Sequence, residues 1–175
     1  MATKINYFAN KGMFIEDLVD KTIFYYLDNK ICFIEKRYMP IKIIKRKNDL
    51  IEGKLLKKSY VDYFGLIKSK FVSFETKQTD NDYFLLNQIK DHQLNHLKDI
   101  SLYGGIAFVI LHFYNSEATF LIPYCIIEQW VANNIKKVDL TYLKKCLNDN
   151  KVFNLEIIFP GILNIYDVVD KKIIS

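Results

Sequence analysis

A chain of 175 residues, half of them hydrophobic, has the length and apolar content of one folded domain, which excludes a mainly disordered polymer. Its 25 basic and 20 acidic side chains leave a net charge of only +5. Cys32, Cys125 and Cys146 are odd in number and widely spaced, which argues against a disulfide framework. The N-terminus lacks an apolar signal core and the run over 105–113 is too short to span a bilayer, so a cytoplasmic protein with no membrane partner is expected.

In chain order, apolar spacing over about 12–28 predicts a helix, with Ile15, Leu18, Val19, Thr22, Ile23, Tyr26 and Leu27 on one broad face. Glu16 lies at the edge of that face, either solvated near the helix start or available to a site. Strands are expected at 31–36 and 41–45, separated by Pro40, and 46–58 reads as a charged loop or ribbon. From 36 to 58 stand Lys36, Arg37, Lys42, Lys45, Arg46, Lys47, Lys54, Lys57 and Lys58 against only Asp49 and Glu52, a local charge of +7. Charge concentrated like this attracts a polyanion.

A hairpin follows, with strands at 61–67 and 71–77 around Lys68, Ser69 and Lys70. Alternation puts Phe71, Ser73, Glu75 and Lys77 on one face and Val72, Phe74 and Thr76 on the other. A helix is expected over 87–98 with Asn87 as its cap, then a central strand at 105–113 and a partner at 118–122. Helical segments near 124–133 and 139–147 and strands at 152–158 and 162–169 complete an α/β or α+β sandwich around one sheet.

Asp62 at the start of one hairpin strand and Glu75 near the end of the other can converge. Two carboxylates that hold magnesium, with Lys77 beside them, meet the needs of phosphodiester hydrolysis: an oriented water and neutralised phosphoryl oxygens. Glu16 and Gln93 are candidates to complete the oxygen-rich shell. The spacing Asp-x12-Glu-x-Lys resembles the PD…(D/E)xK signature of restriction-endonuclease-like nucleases; the competing reading is an exposed same-face ion pair of little energetic worth. His92 and His96 lie four apart, but HQLNH lacks the Glu of a zinc HExxH site, so His92 is read as orienting the site or touching a DNA backbone. Phosphate-binding loops, dinucleotide fingerprints and serine-hydrolase elbows are absent.

Beyond that signature, several segments occur in one order: NKGMFIED, YYLDNKICFIEKRYMPIKII, SYVDYFG, KFVSFETKQT, FLLNQIKDHQLNHL and GGIAFVILHF. Over about 10–169 the chain thereby resembles the RecU Holliday junction resolvases of low-GC Gram-positive bacteria and their wall-less relatives. The resemblance implies a restriction-endonuclease-like core, a central mixed β-sheet flanked by helices, with 41–59 as a basic stalk in one domain. It implies a homodimer that nicks opposing strands of four-way junction DNA symmetrically, leaving 5'-phosphate and 3'-hydroxyl ends, in recombination and repair. Recombinase or branch-migration proteins are further candidate partners. Carried over by position, Asp62 and Glu75 are metal-binding carboxylates, Lys77 stabilises the transition state, Gln93 stands near the metal or its water and Glu16 assists. Magnesium is the implied cofactor, with manganese able to substitute. Val61 replaces the usual Thr, so a metal contact there would come from its backbone carbonyl. The nine basic residues of 36–58 and His92 are the implied DNA contacts. The alternatives are a catalytically inactive junction-binding protein and a nuclease of the same fold that cuts other branched or duplex DNA.

Overall fold

The computed structural model describes residues 14–38, 41–48, 50–55 and 61–175. Helix α1 (Phe14–Asp28) leads into β1 (Phe33–Lys36), and β2 (Ile41–Lys47) and β3 (Leu50–Leu55) follow. Next come β4 (Tyr63–Ile67), β5 (Lys70–Thr79), β6 (Tyr83–Leu85) and α2 (Asp91–Leu102), then β7 (Ile106–Phe113) and β8 (Ala118–Pro123). The chain ends through α3 (Tyr124–Ala132), β9 (Lys137–Asp139), α4 (Leu140–Asn148), β10 (Phe153–Leu155), β11 (Ile157–Ile158), β12 (Ile162–Leu163) and α5 (Ile165–Val169).

Six strands form the central sheet in the order β1-β4-β5-β7-β8-β10. Every pairing is antiparallel except β5 with β7, so the sheet is mixed as expected. The parallel pair requires a crossover, which α2 supplies. The central strands alternate between two apolar clusters. Val72, Phe74, Phe108, Ile110 and Leu121 pack with α1, β12 and α5, while Val109, Leu111, Phe113, Phe120 and Ile122 pack with α2, α3 and α4. Helices thus cover both faces of one sheet, whose middle strands are apolar on both sides. Rings of Tyr63, Phe74 and Phe108 stack in sequence across β4, β5 and β7, with centroids 4.9 and 4.6 Å apart.

The β4–β5 turn is tighter than expected. Lys68 and Ser69 both adopt positive φ, the geometry of a two-residue turn that matches strand twist, and Lys70 already belongs to β5. Asn87 does not cap a helix: it lies in a short 3-10 turn over Leu86–Gln88, and α2 starts later, capped by Lys90. The expected strand over 162–169 ends at Leu163 and becomes α5, because Ile165 and Val169 are buried four residues apart on one helical face. Its β-branched composition masked that period. Within 46–58 the described residues form the end of β2 and all of β3, a ribbon in which, among the described residues, the two strands pair only with each other. Pro40 lies outside the described residues, as do Lys57 and Lys58. No helix among the described residues is long and apolar enough to cross a membrane.

Candidate active site

The register of the β4–β5 hairpin places the site. Pairing runs from Ile67 with Lys70 to Tyr63 with Phe74 and stops there, while β5 continues along β7 as far as Thr79 with Phe113. The freed edge of β5 meets a side chain instead of a strand. Asp62 Oδ2 accepts hydrogen bonds from the Thr76 backbone N–H at 3.0 Å and the Thr76 hydroxyl at 2.9 Å. On its other side the Asp62 carbonyl accepts from Arg37 N–H at 2.7 Å, extending the β1–β4 pairing by one residue. Asp62 is therefore fixed at both backbone and side chain in the gap where β4 and β5 part.

Glu75, the residue before Thr76 in β5, is 2% exposed. Burial disposes of the exposed surface ion pair. Its Oε1 accepts from Lys77 Nζ and from Gln93 Nε2, each at 2.5 Å. Its Oε2 is buried with no hydrogen-bond partner. A buried carboxylate oxygen without a donor costs free energy unless something positive meets it. Burial raises the Glu75 carboxyl to about 7, helped by the nearby charge of Asp62 and opposed by Lys77.

Gln93 faces Glu75 because of the late helix start. Its Oε1 accepts from the Lys90 N–H at 3.0 Å, capping α2, so its amide donors are the part turned to the carboxylate. In this arrangement Gln93 orients Glu75, and its oxygen is committed to the helix. Val61 is fully buried in the core under α2 and α3, which leaves only its backbone for any ligand role. His92 lines a groove beside Leu86, Leu94 and Val131.

Glu16 stands in a second cluster on the α1 face. Lys36 Nζ contacts Asp20 at 2.8 Å and Glu16 at 3.3 Å, and the Tyr63 hydroxyl donates to Asp20 at 2.7 Å. Burial opposes the charged form of Lys36, but its two carboxylate partners outweigh that and raise it. Lys36, expected on DNA, thus spends its ammonium on Asp20 and Glu16. Arg37 holds its guanidinium 4.8 Å from the centre of the Phe64 ring. Lys42, Lys45, Arg46 and Lys54 are exposed on the β2–β3 ribbon, while the side chain of Lys47 is outside the described residues. Sequence reasoning missed Asp20, Thr76 and Tyr63. Asp20 was accessible as the residue one turn beyond Glu16; Thr76 was hidden because alternation assigns it to the opposite face from Glu75.

Among the described residues no three His, Cys, Asp or Glu side chains form a metal cage. Two carboxylates, one with an orphaned oxygen, still fit magnesium, which keeps several waters and is commonly held by one or two carboxylates plus substrate phosphates.

A family model described as Recombination protein U matches residues 10–171. A Holliday junction resolvase RecU of Ureaplasma parvum is 33% identical over 162 residues, covering 92% of this chain and 92% of that protein. Proteins of the same name from Lactococcus lactis and Streptococcus mutans are 33% and 32% identical, covering 79% and 96% of this chain and 69% and 87% of their own lengths. With the pattern matched from the first helix to the last, the chain belongs to the Recombination protein U family.

Proposed function

We propose that this protein is a metal-dependent endonuclease that resolves Holliday junctions by symmetric nicking, acting as a homodimer of single nuclease domains. The observation that carries the reading is Glu75 Oε2, buried and without a donor beside Asp62. When bound there, magnesium or manganese would activate water and neutralise charge on the phosphoryl oxygens. Asp62 and Glu75 would hold the cation. Lys77 brings a positive charge to the carboxylate pair, where it opposes the negative charge that grows on the phosphate in the transition state. Gln93 fixes the Glu75 rotamer from α2, and the Thr76 hydrogen bonds fix Asp62. Glu16 and Asp20 extend the negative field on the α1 face, with Lys36 limiting it. The products under this reading are 5'-phosphate and 3'-hydroxyl ends. A two-fold dimer suits a four-way junction of nearly two-fold symmetry.

The test is nicking of a synthetic four-way junction in magnesium, compared with a linear duplex of the same length. Paired nicks in opposing strands of the junction and an intact duplex are expected. Equal cutting of both substrates would reject junction selectivity, and no cutting of either in magnesium or manganese would reject the enzyme. The β2–β3 ribbon supplies the phosphate contacts in this reading. Replacing Lys42, Lys45 and Lys54 together with Ala is expected to reduce the slope of log affinity against log salt by about 2–3. Titrations of junction binding at several salt concentrations measure it.

A further inference from the structure

Two polar side chains sit on the inner face of α2, where apolar ones would serve packing alone. Gln93, His96, Leu97 and Ile100 follow the spacing of one helical stripe. Leu97 is fully buried, and Ile100 packs against the same cluster, which also holds Val109 and Leu111. A polar group turned towards a core costs free energy unless it is hydrogen-bonded, and both polar residues find a partner on β5. Gln93 meets Glu75 Oε1, and His96 Nε2 stands 3.2 Å from Ser73 Oγ. Ser73 and Glu75 are two residues apart on one strand and project to the same face. The helix is thus tied to β5 at two successive positions.

The second tie continues into β4. Ser73 is buried, and its hydroxyl donates to the Tyr63 carbonyl at 3.2 Å. With its one hydrogen spent there, the hydroxyl accepts from His96, which places a ring proton on Nε2. Tyr63 adjoins Asp62 and is the residue at which the β4–β5 pairing stops. The contacts from His96 to Ser73 to Tyr63 therefore join α2 to the point where the two strands part. Gln93 cannot adapt if that join slips. Its Oε1 is held by the Lys90 N–H of its own helix, so its amide follows any rotation of α2 and its reach to Glu75 changes with it. Apolar packing holds the helix down without direction; hydrogen bonds supply the direction.

We infer that His96 is a positioning residue of the nuclease site: through Ser73 it fixes the rotation of α2, and with it the Gln93 amide that orients Glu75. A phosphate-binding cation fits this ring less well. Burial and the charge of Arg37 hold His96 below its ordinary value of 6.5 against the opposing pull of Asp99, so the ring is neutral at pH 7. Loss of a side chain that orients a metal ligand typically costs roughly 10–100-fold in metal affinity or activity. His96 acts one contact further out, which puts its effect at the lower end of that range.

The inference rests on the nuclease reading, and the measurements separate the two. His96→Ala and Ser73→Ala should each lower kcat for junction nicking about tenfold, and junction affinity without divalent cation should not change. The double variant should be no slower than either single one, because both remove the same contact. His96→Gln can set an amide donor near the Nε2 position and should recover most of the rate, which a loss of packing alone would not explain. Alanine favours the helix at 96 and is smaller than the serine it replaces at 73, so both variants are expected to fold. The side-chain amide of Gln93 is followed by heteronuclear NMR in the cation-free protein, its signals assigned by their loss in Gln93→Glu. They should move towards those of a solvated glutamine in His96→Ala and return in His96→Gln. Unmoved Gln93 signals in His96→Ala, or losses of rate that add in the double variant, would overturn the inference. If wild type nicks no junction, the nuclease reading fails, and the Gln93 signals still decide whether His96 positions that amide.

Discussion

Glu75→Gln is expected to lower the nicking rate by a factor of at least about 100, a typical cost for removing one group that stabilises transition-state charge, while most junction affinity remains. The amide keeps the shape of the side chain and can still meet Gln93, so geometry survives and the negative charge does not. The same variant carries a stability signature of the opposite sign. In the cation-free protein, burial holds the Glu75 carboxyl at about 7, well above its ordinary value of 4.5. A group raised in the folded state contributes stability that is complete below pH 4.5 and is lost as pH rises through 7. At pH 8 the ionised carboxylate therefore costs the fold on the order of 3 kcal/mol, the free energy that separates those two values. Glu75→Gln should melt at a higher temperature than wild type at pH 8 without divalent cation, and the gap should close towards pH 4.5. Magnesium should stabilise wild type and leave the variant unmoved. Thermal melts across pH 4.5–8, with and without magnesium, read all three effects. A variant that melts below wild type at pH 8 would mean that Glu75 is satisfied without a cation.

Gly65→Ala is expected to destabilise the protein by about 3 kcal/mol, at the upper end of the cost of overpacking, and to impair nicking with it. A Cβ at Gly65 would run into the Phe33 carbonyl oxygen and stand 2.6 Å from Ile34 Cα. These are backbone atoms of β1, which pairs with β4 through Gly65 and Ile34 themselves, and neither can swing aside as a flexible side chain would. Displacing β1 also disturbs the site, because Arg37 N–H holds the Asp62 carbonyl and Lys36 joins α1 to the strand. Denaturant midpoints at constant m-value measure the loss. Wild-type stability in this variant would show that β1 shifts freely and does not anchor Asp62.

The sheet and its main helices were legible because period and burial agree there. The run over 106–113 is apolar at nearly every position and becomes the buried β7; the spacing of Ile15, Val19, Ile23 and Tyr26 becomes the inner face of α1. What the sequence hid depended on tertiary contacts. Alternation placed Glu75 and Lys77 together, but not the end of the β4–β5 ladder at Tyr63, which opens the gap that Asp62 fills. Nor did it reveal that Gln93 spends its oxygen on the α2 cap, since an Asn at 87 carries the commoner capping signal. Lys36 was read by its charge as a DNA contact, whereas the fold sets Asp20 and Glu16 against it. A charge run gives the sign of a surface and not the partners of its members.

Where the divalent ion sits tests the central claim most directly. In crystals soaked with manganese, anomalous scattering should show a peak in contact with Asp62 and with Oε2 of Glu75, and the peak should vanish in Glu75→Gln. A peak confined to Glu16 and Asp20, or a wild-type protein that nicks junctions with no ion between Asp62 and Glu75, would contradict it.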